Sequence, residues 1–77
     1  MQNYKITFHS LKQIENFVSW AEKIPYHMDA SIGSVSIDAK SLLGMVSMGM
    51  EKELQLTIYG ELSAIDKSYM QQHLTLK

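Results

Sequence analysis

Apolar and polar residues alternate from Tyr4 to Phe8, with Tyr4, Ile6 and Phe8 set against Lys5 and Thr7. That two-residue period predicts a strand with one buried face. The period changes at Ser10. Leu11, Ile14, Phe17, Val18 and Ala21 follow at helical spacing, while Lys12, Glu15, Asn16, Ser19 and Glu22 occupy the opposite side. Ser10 and Gln13 form an S-x-x-Q capping box, in which a hydroxyl and a side-chain amide satisfy backbone donors at the helix start. Pro25 pushes the residue before it out of the helical region, so IPY at 24–26 closes this helix.

Two short strands are expected over 28–32 and 35–38, joined at Gly33-Ser34, a pair suited to a tight hairpin. Leu54, Leu56 and Ile58 alternate with Gln55, Thr57 and Tyr59 in a fourth strand. Ser63 and Asp66 make another cap, and Ile65, Tyr69, Met70 and Leu74 share roughly one face of a final helix. Between these lies DAKSLLGMVSMGM, residues 38–50. Ser41 caps a short helix there, with Leu42 and Leu43 in its first turn, Met45 and Val46 in its second, and Gly49 at its end. The order β-α-β-β-α-β-α, with most strands not separated by crossovers, predicts an α+β domain: helices cover one face of an antiparallel sheet and the other face is wet.

Seven of the eight residues from Leu42 to Gly49 are apolar or glycine, more than a one-sided surface helix needs. Met45 and Val46 are expected on the packed side. Leu42, Leu43 and Met48 are expected at an exposed edge, an adaptable surface for a partner. Ser41 has two readings, a structural N-cap or a phosphorylation site at a helix start.

Composition narrows the classes of function. The 77 residues are the length of one small domain, 1–77, and the seven Lys against eight Asp plus Glu give a net charge of −1. Such a balance supplies no basic field for the phosphates of a nucleic acid. Without cysteine there is no disulfide framework and no thiolate metal site, which suits a reducing compartment such as the cytoplasm. No apolar run is long enough to span a membrane, and the N-terminal residues do not read as a signal peptide. His9, His27 and His73 are not matched with carboxylates at metal-ligand spacing, so no metal or cofactor is expected. No nucleophile–base pair, pair of carboxylates or Gly-rich phosphate loop points to an enzyme.

Lys40-Ser41-Leu42-Leu43-Gly44-Met45-Val46-Ser47-Met48-Gly49 resembles the second-helix run of the HPr family of phosphocarriers, Lys-Ser-aliphatic-Met/Leu-Gly-aliphatic-Met-Ser-Leu. The resemblance implies an open-faced β-sandwich, a four-stranded antiparallel sheet with three helices on one face. It also implies a place in the phosphoenolpyruvate-dependent sugar phosphotransferase system. Family members carry phosphate on a histidine at the start of the first helix, inside a motif resembling Gly-Leu-His-Ala-Arg-Pro. The corresponding stretch here is FHSLKQIE, with neither arginine nor proline. The alignment that keeps Phe17 and Val18 in register puts Ser10 at the phosphorylated position and Lys12 at the arginine.

Serine cannot form a phosphoramidate. His9, one residue upstream, can supply the imidazole if the loop shifts, with Lys12 neutralising the phosphate as a point charge. Ser41 matches the position that a dedicated kinase phosphorylates in some members, creating a corepressor for a transcription regulator. In that respect the chain resembles the Crh-type regulatory paralogue, which lacks the catalytic histidine and keeps the serine segment. Lys40, Leu42, Leu43 and Met48 would then form the recognition surface.

Three readings stay open. The chain is a regulatory or binding module that engages phosphotransferase-system proteins, a serine kinase or a transcription regulator through Ser41. It is a working phosphocarrier using His9. Or it is a small domain split off from, or fused in relatives to, a larger transporter or regulatory chain and acting purely by fold, which a stable dimer would favour. The oligomeric state expected of the chain is a monomer or weak dimer. None of them predicts direct contact with nucleic acid or membrane.

Overall fold

A computed structural model describes residues 1–76. The elements are β1 (Gln2–Thr7), α1 (Leu11–Ala21), β2 (Met28–Ile32), β3 (Val35–Asp38), α2 (Leu42–Met48), β4 (Glu53–Ile58), α3 (Ala64–His73) and β5 (Thr75–Leu76). The first seven follow the expected order. The two-residue β5 is an addition: it pairs antiparallel with Ile6 and Thr7 of β1, where the pattern after His73 is too short to register as a strand.

All the strand pairs are antiparallel and the sheet order is β3-β2-β4-β1-β5. The four longer strands and three helices thus form an α+β open-faced sandwich of HPr-like arrangement. Gly33 takes a φ of 57° in the β2–β3 turn, a conformation that costs a residue without a Cβ little.

Strand alternation sorts the two faces as the pattern predicts. Ile6, Met28, Ala30, Leu54, Leu56 and Ile58 are buried under the helices, whereas Asn3, Lys5, Ser36 and Gln55 are exposed on the open face. Ile14, Phe17, Val18, Trp20 and Ala21 of α1 close over the core. Phe8 meets Phe17 edge to face, with ring centroids 5.4 Å apart. Among the described residues no polar or charged residue is buried.

All three serine caps form as expected. Ser10, Ser41 and Ser63 each accept a hydrogen bond on Oγ from the amide three residues on, at 3.1 Å. Each is worth about 1 kcal/mol over alanine. The first capping box closes in a shifted form, because Gln13 Oε1 accepts from the amide of His9, not from that of Ser10.

Two positions depart from the helical stripes. Leu11 lies at the exposed start of α1 and Ile65 is 81% exposed on α3. Ile65 precedes the buried Met70 by five residues, a rotation of about 140° away from the packed side at roughly 100° per residue.

Candidate functional site

The two candidate centres stand at opposite ends of α2. Its seven residues make a rod of about 10 Å at 1.5 Å per residue.

At the first end, Ser41 is half-buried and its oxygen is held by the Gly44 amide. Leu42 is 44% and Leu43 84% exposed, as an adaptable edge requires. Met48 and Val46 exchange the places expected of them. Met48 is buried beside Met45, and Val46 is 42% exposed. Helical geometry is the reason: Met45 and Met48 lie about 60° apart and define the core-facing line, from which Val46 is turned away by more than 90°. The exposed apolar surface of this helix is therefore Leu42, Leu43 and Val46, continued by Met50, and not Met48.

Gly44 lets the helix lie close to the sheet, since a Cβ there would stand 3.2 Å from Cδ1 of Ile37. Lys40 does not project freely. Its ammonium donates to the main-chain carbonyl of Ile24, tying the turn after α1 to the entrance of α2.

At the other end, the loop leaving β1 meets the loop leaving α2. Gly49 closes α2 with a φ of 89°, and Glu51 follows with a φ of 63°, unusual for a residue with a Cβ. The Glu51 amide donates to the carbonyl of Phe8 at 2.7 Å. This brings the Glu51 carboxylate onto the exposed imidazole of His9, with Nδ1 3.2 Å from Oε1 and 3.1 Å from Oε2. Ser10 and Lys12 flank it at the head of α1, Ser10 occupied as the cap and Lys12 exposed.

The expectation is that no carboxylate lies at metal-ligand spacing from the three histidines. The structure pairs two of them. Besides His9 with Glu51, His27 Nε2 lies 2.7 Å from Asp29 Oδ1 on the open sheet face. The signal for the second pair is local: His27 directly precedes β2 and continues its pairing, its carbonyl accepting from the Tyr59 amide, so residues 27 and 29 point to the same face. For the first pair no local signal existed, since 42 residues separate the partners. Tyr59, across the sheet, donates its phenol to the other oxygen of Asp29 at 3.0 Å. That bond and the carboxylate charge raise the Tyr59 phenol above its ordinary value. Among the described residues no group of three or more His, Cys, Asp or Glu side chains is placed to hold a metal ion.

Two surface depressions lie elsewhere, one lined by Asn3, Tyr4, Lys5, Glu53 and Gln55, the other along α3 by Ile65, Tyr69 and His73 among others. Among the described residues no helix is long and apolar enough to cross a membrane. No protein-family model matches the chain, and no curated protein matches it. What fold and site define is a class: a small α+β sandwich presenting a serine-capped apolar helix at one end and a histidine–carboxylate contact at the other.

Proposed function

We propose that the chain is an HPr-like protein of the phosphoenolpyruvate-dependent sugar phosphotransferase system, acting in the cytoplasm as a regulatory or binding member through the Ser41 helix. The observation that carries this reading is the juxtaposition of the Ser41 cap with the exposed Leu42, Leu43 and Val46 on a helix without a single charged residue. Phosphate on Ser41 would bring roughly two negative charges to that uncharged surface and change which partner it accepts. A serine kinase, a transcription regulator or a transporter component is the kind of partner implied. The protein itself needs no catalytic residue for this role.

The head of α1 supports the same reading. The stretch around His9 has no arginine to clamp a phosphoryl group bidentately, and the nitrogen facing Glu51 is beside a negative charge that opposes phosphate. The experiment is incubation with ATP and an HPr serine kinase. Acid-stable phosphate should appear and be lost in Ser41→Ala; phosphate on another residue, or none, would remove the basis for choosing Ser41.

A second reading, a phosphocarrier using His9, is favoured by one observation: the His9 side chain is 46% exposed at the head of α1. Incubation with phosphoenolpyruvate and the general phosphotransferase kinase separates the two. Acid-labile phosphate that disappears in His9→Ala would establish the carrier, and its absence would end that reading.

A further inference from the structure

The contact between Glu51 and His9 has a chemical consequence that rests on the second reading above, in which His9 accepts a phosphoryl group, and not on the Ser41 reading. Both carboxylate oxygens address the same ring nitrogen, Nδ1. An ionised carboxylate only accepts hydrogen bonds, so Nδ1 must carry a proton in this contact, whether the ring is neutral or cationic. A protonated nitrogen has no lone pair for an electrophile. In the neutral ring the lone pair then belongs to Nε2.

The backbone on both sides fixes this arrangement. Glu51 is held in the left-handed region by its amide bond to Phe8, and His9 is held by its amide bond to Gln13 Oε1 at 2.7 Å. The two loops are thus joined by main-chain bonds before the side chains meet. The ion pair itself is exposed, with side-chain accessibilities of 46% for His9 and 66% for Glu51, so the carboxylate can be displaced at small cost.

We infer that Glu51 is a reversible autoinhibitory cap on His9, withdrawing Nδ1 from electrophilic phosphorus until the loop after α2 is moved. For Nδ1 to be phosphorylated, its lone pair must form the new N–P bond. With phosphoramidate as donor, the P–N bond to the leaving nitrogen breaks, and ammonia departs as ammonium with the ring's displaced proton. Glu51 opposes this at the start, by keeping the proton on the attacking atom, and again afterwards, by facing the new phosphoryl oxygens.

The test uses the full chain labelled with 15N, with long-range proton–nitrogen correlations to read the His9 tautomer and the position of any adduct. Wild type should show the Nδ1–H tautomer and slow Nδ1 adduct formation with phosphoramidate. Glu51→Ala should shift the tautomer towards Nε2–H and speed the Nδ1 adduct about fivefold, the ratio that corresponds to an exposed ion pair of ordinary strength. Glu51→Gly, whose backbone suits the left-handed conformation, should give the same result in a chain that folds at least as readily. An Nε2–H tautomer in wild type, or equal Nδ1 rates in wild type and both variants, would overturn the inference. Either outcome leaves the Ser41 reading untouched, because no kinase or partner is involved.

Discussion

Trp20 and Tyr69 stack face to face, their ring centroids 4.9 Å apart and their planes 9° from parallel. The indole Nε1 also donates to Asp66 Oδ1 at 3.3 Å, so one residue of α1 receives both an aromatic ring and a carboxylate from α3. Met70 is the only residue that α3 buries, which makes this stack a principal attachment of the helix. Tyr69→Ala should cost about 1–2 kcal/mol, by loss of the stack and of the area it covers. Amide exchange in α3 should accelerate more than in the sheet, and Tyr69→Phe should keep most of the protection; equal acceleration throughout would show that α3 is not a separately loosened element.

Gly60 follows β4 with the Tyr26 ring lying against its backbone, where a Cβ would collide with the ring. Gly60→Ala should destabilise by about 1–3 kcal/mol in urea denaturation. Adding Tyr26→Ala should recover part of that loss, because the colliding group is then gone. A double variant no more stable than Gly60→Ala would place the cost elsewhere.

Glu51 combines a left-handed backbone with an exposed side-chain contact, and two substitutions separate them. Glycine and alanine both remove the carboxylate, but only alanine keeps the backbone cost. Glu51→Gly should therefore be more stable than Glu51→Ala by about 1 kcal/mol, measured as the difference in their denaturation midpoints at equal slope.

The short helix makes its own contrast. Met48→Ala should cost about 2–4 kcal/mol, since the side chain is 7% exposed and belongs to the hydrophobic core. Leu43→Ala, at 84% exposure, should leave stability within about 0.5 kcal/mol of wild type and, on the proposed function, should weaken only the binding of a partner. If Leu43 proved the costlier of the two, the assignment of buried and exposed faces of α2 would be wrong.

Tyr59 should titrate later than an ordinary phenol in absorbance near the phenolate band, because its hydrogen bond to Asp29 and the charge of that carboxylate favour the protonated form. Asp29→Asn should bring its titration back down. For stability the sign follows from the raised value: the contribution is complete below the unfolded phenol's ordinary value of about 10, and is lost as pH rises through the folded value. A folded-state titration unchanged by Asp29→Asn would exclude this coupling.

Where the signal is local, sequence and structure agree at most positions, Leu11 and Ile65 excepted. Period two in Ile6, Leu54, Leu56 and Ile58 selects the buried sheet face, and serine at 10, 41 and 63 fixes three helix starts, since each cap needs only the amide three residues on. Gly33 and Gly49 mark a turn and a helix end for the same local reason, the ease of a positive φ.

What the chain pattern alone left unsettled needed a partner far along the sequence. In α2 nearly every residue is apolar, so polarity could not tell Met48 from Val46; the direction of the sheet, approached closely at Gly44, decided which was buried. β5 exists because the edge of β1 offers it two residues of pairing, not because Thr75 and Leu76 announce a strand. His9 acquired a carboxylate on Nδ1 only when the backbone of Glu51 bonded to Phe8 across 43 residues, a contact no spacing rule records. The sequence by itself determined the first seven elements, their caps and the buried face of the sheet, because these depend on neighbours within a few residues. Only the tertiary structure decided the face of α2 and the chemistry open to His9, because both depend on which surfaces folding brings into contact.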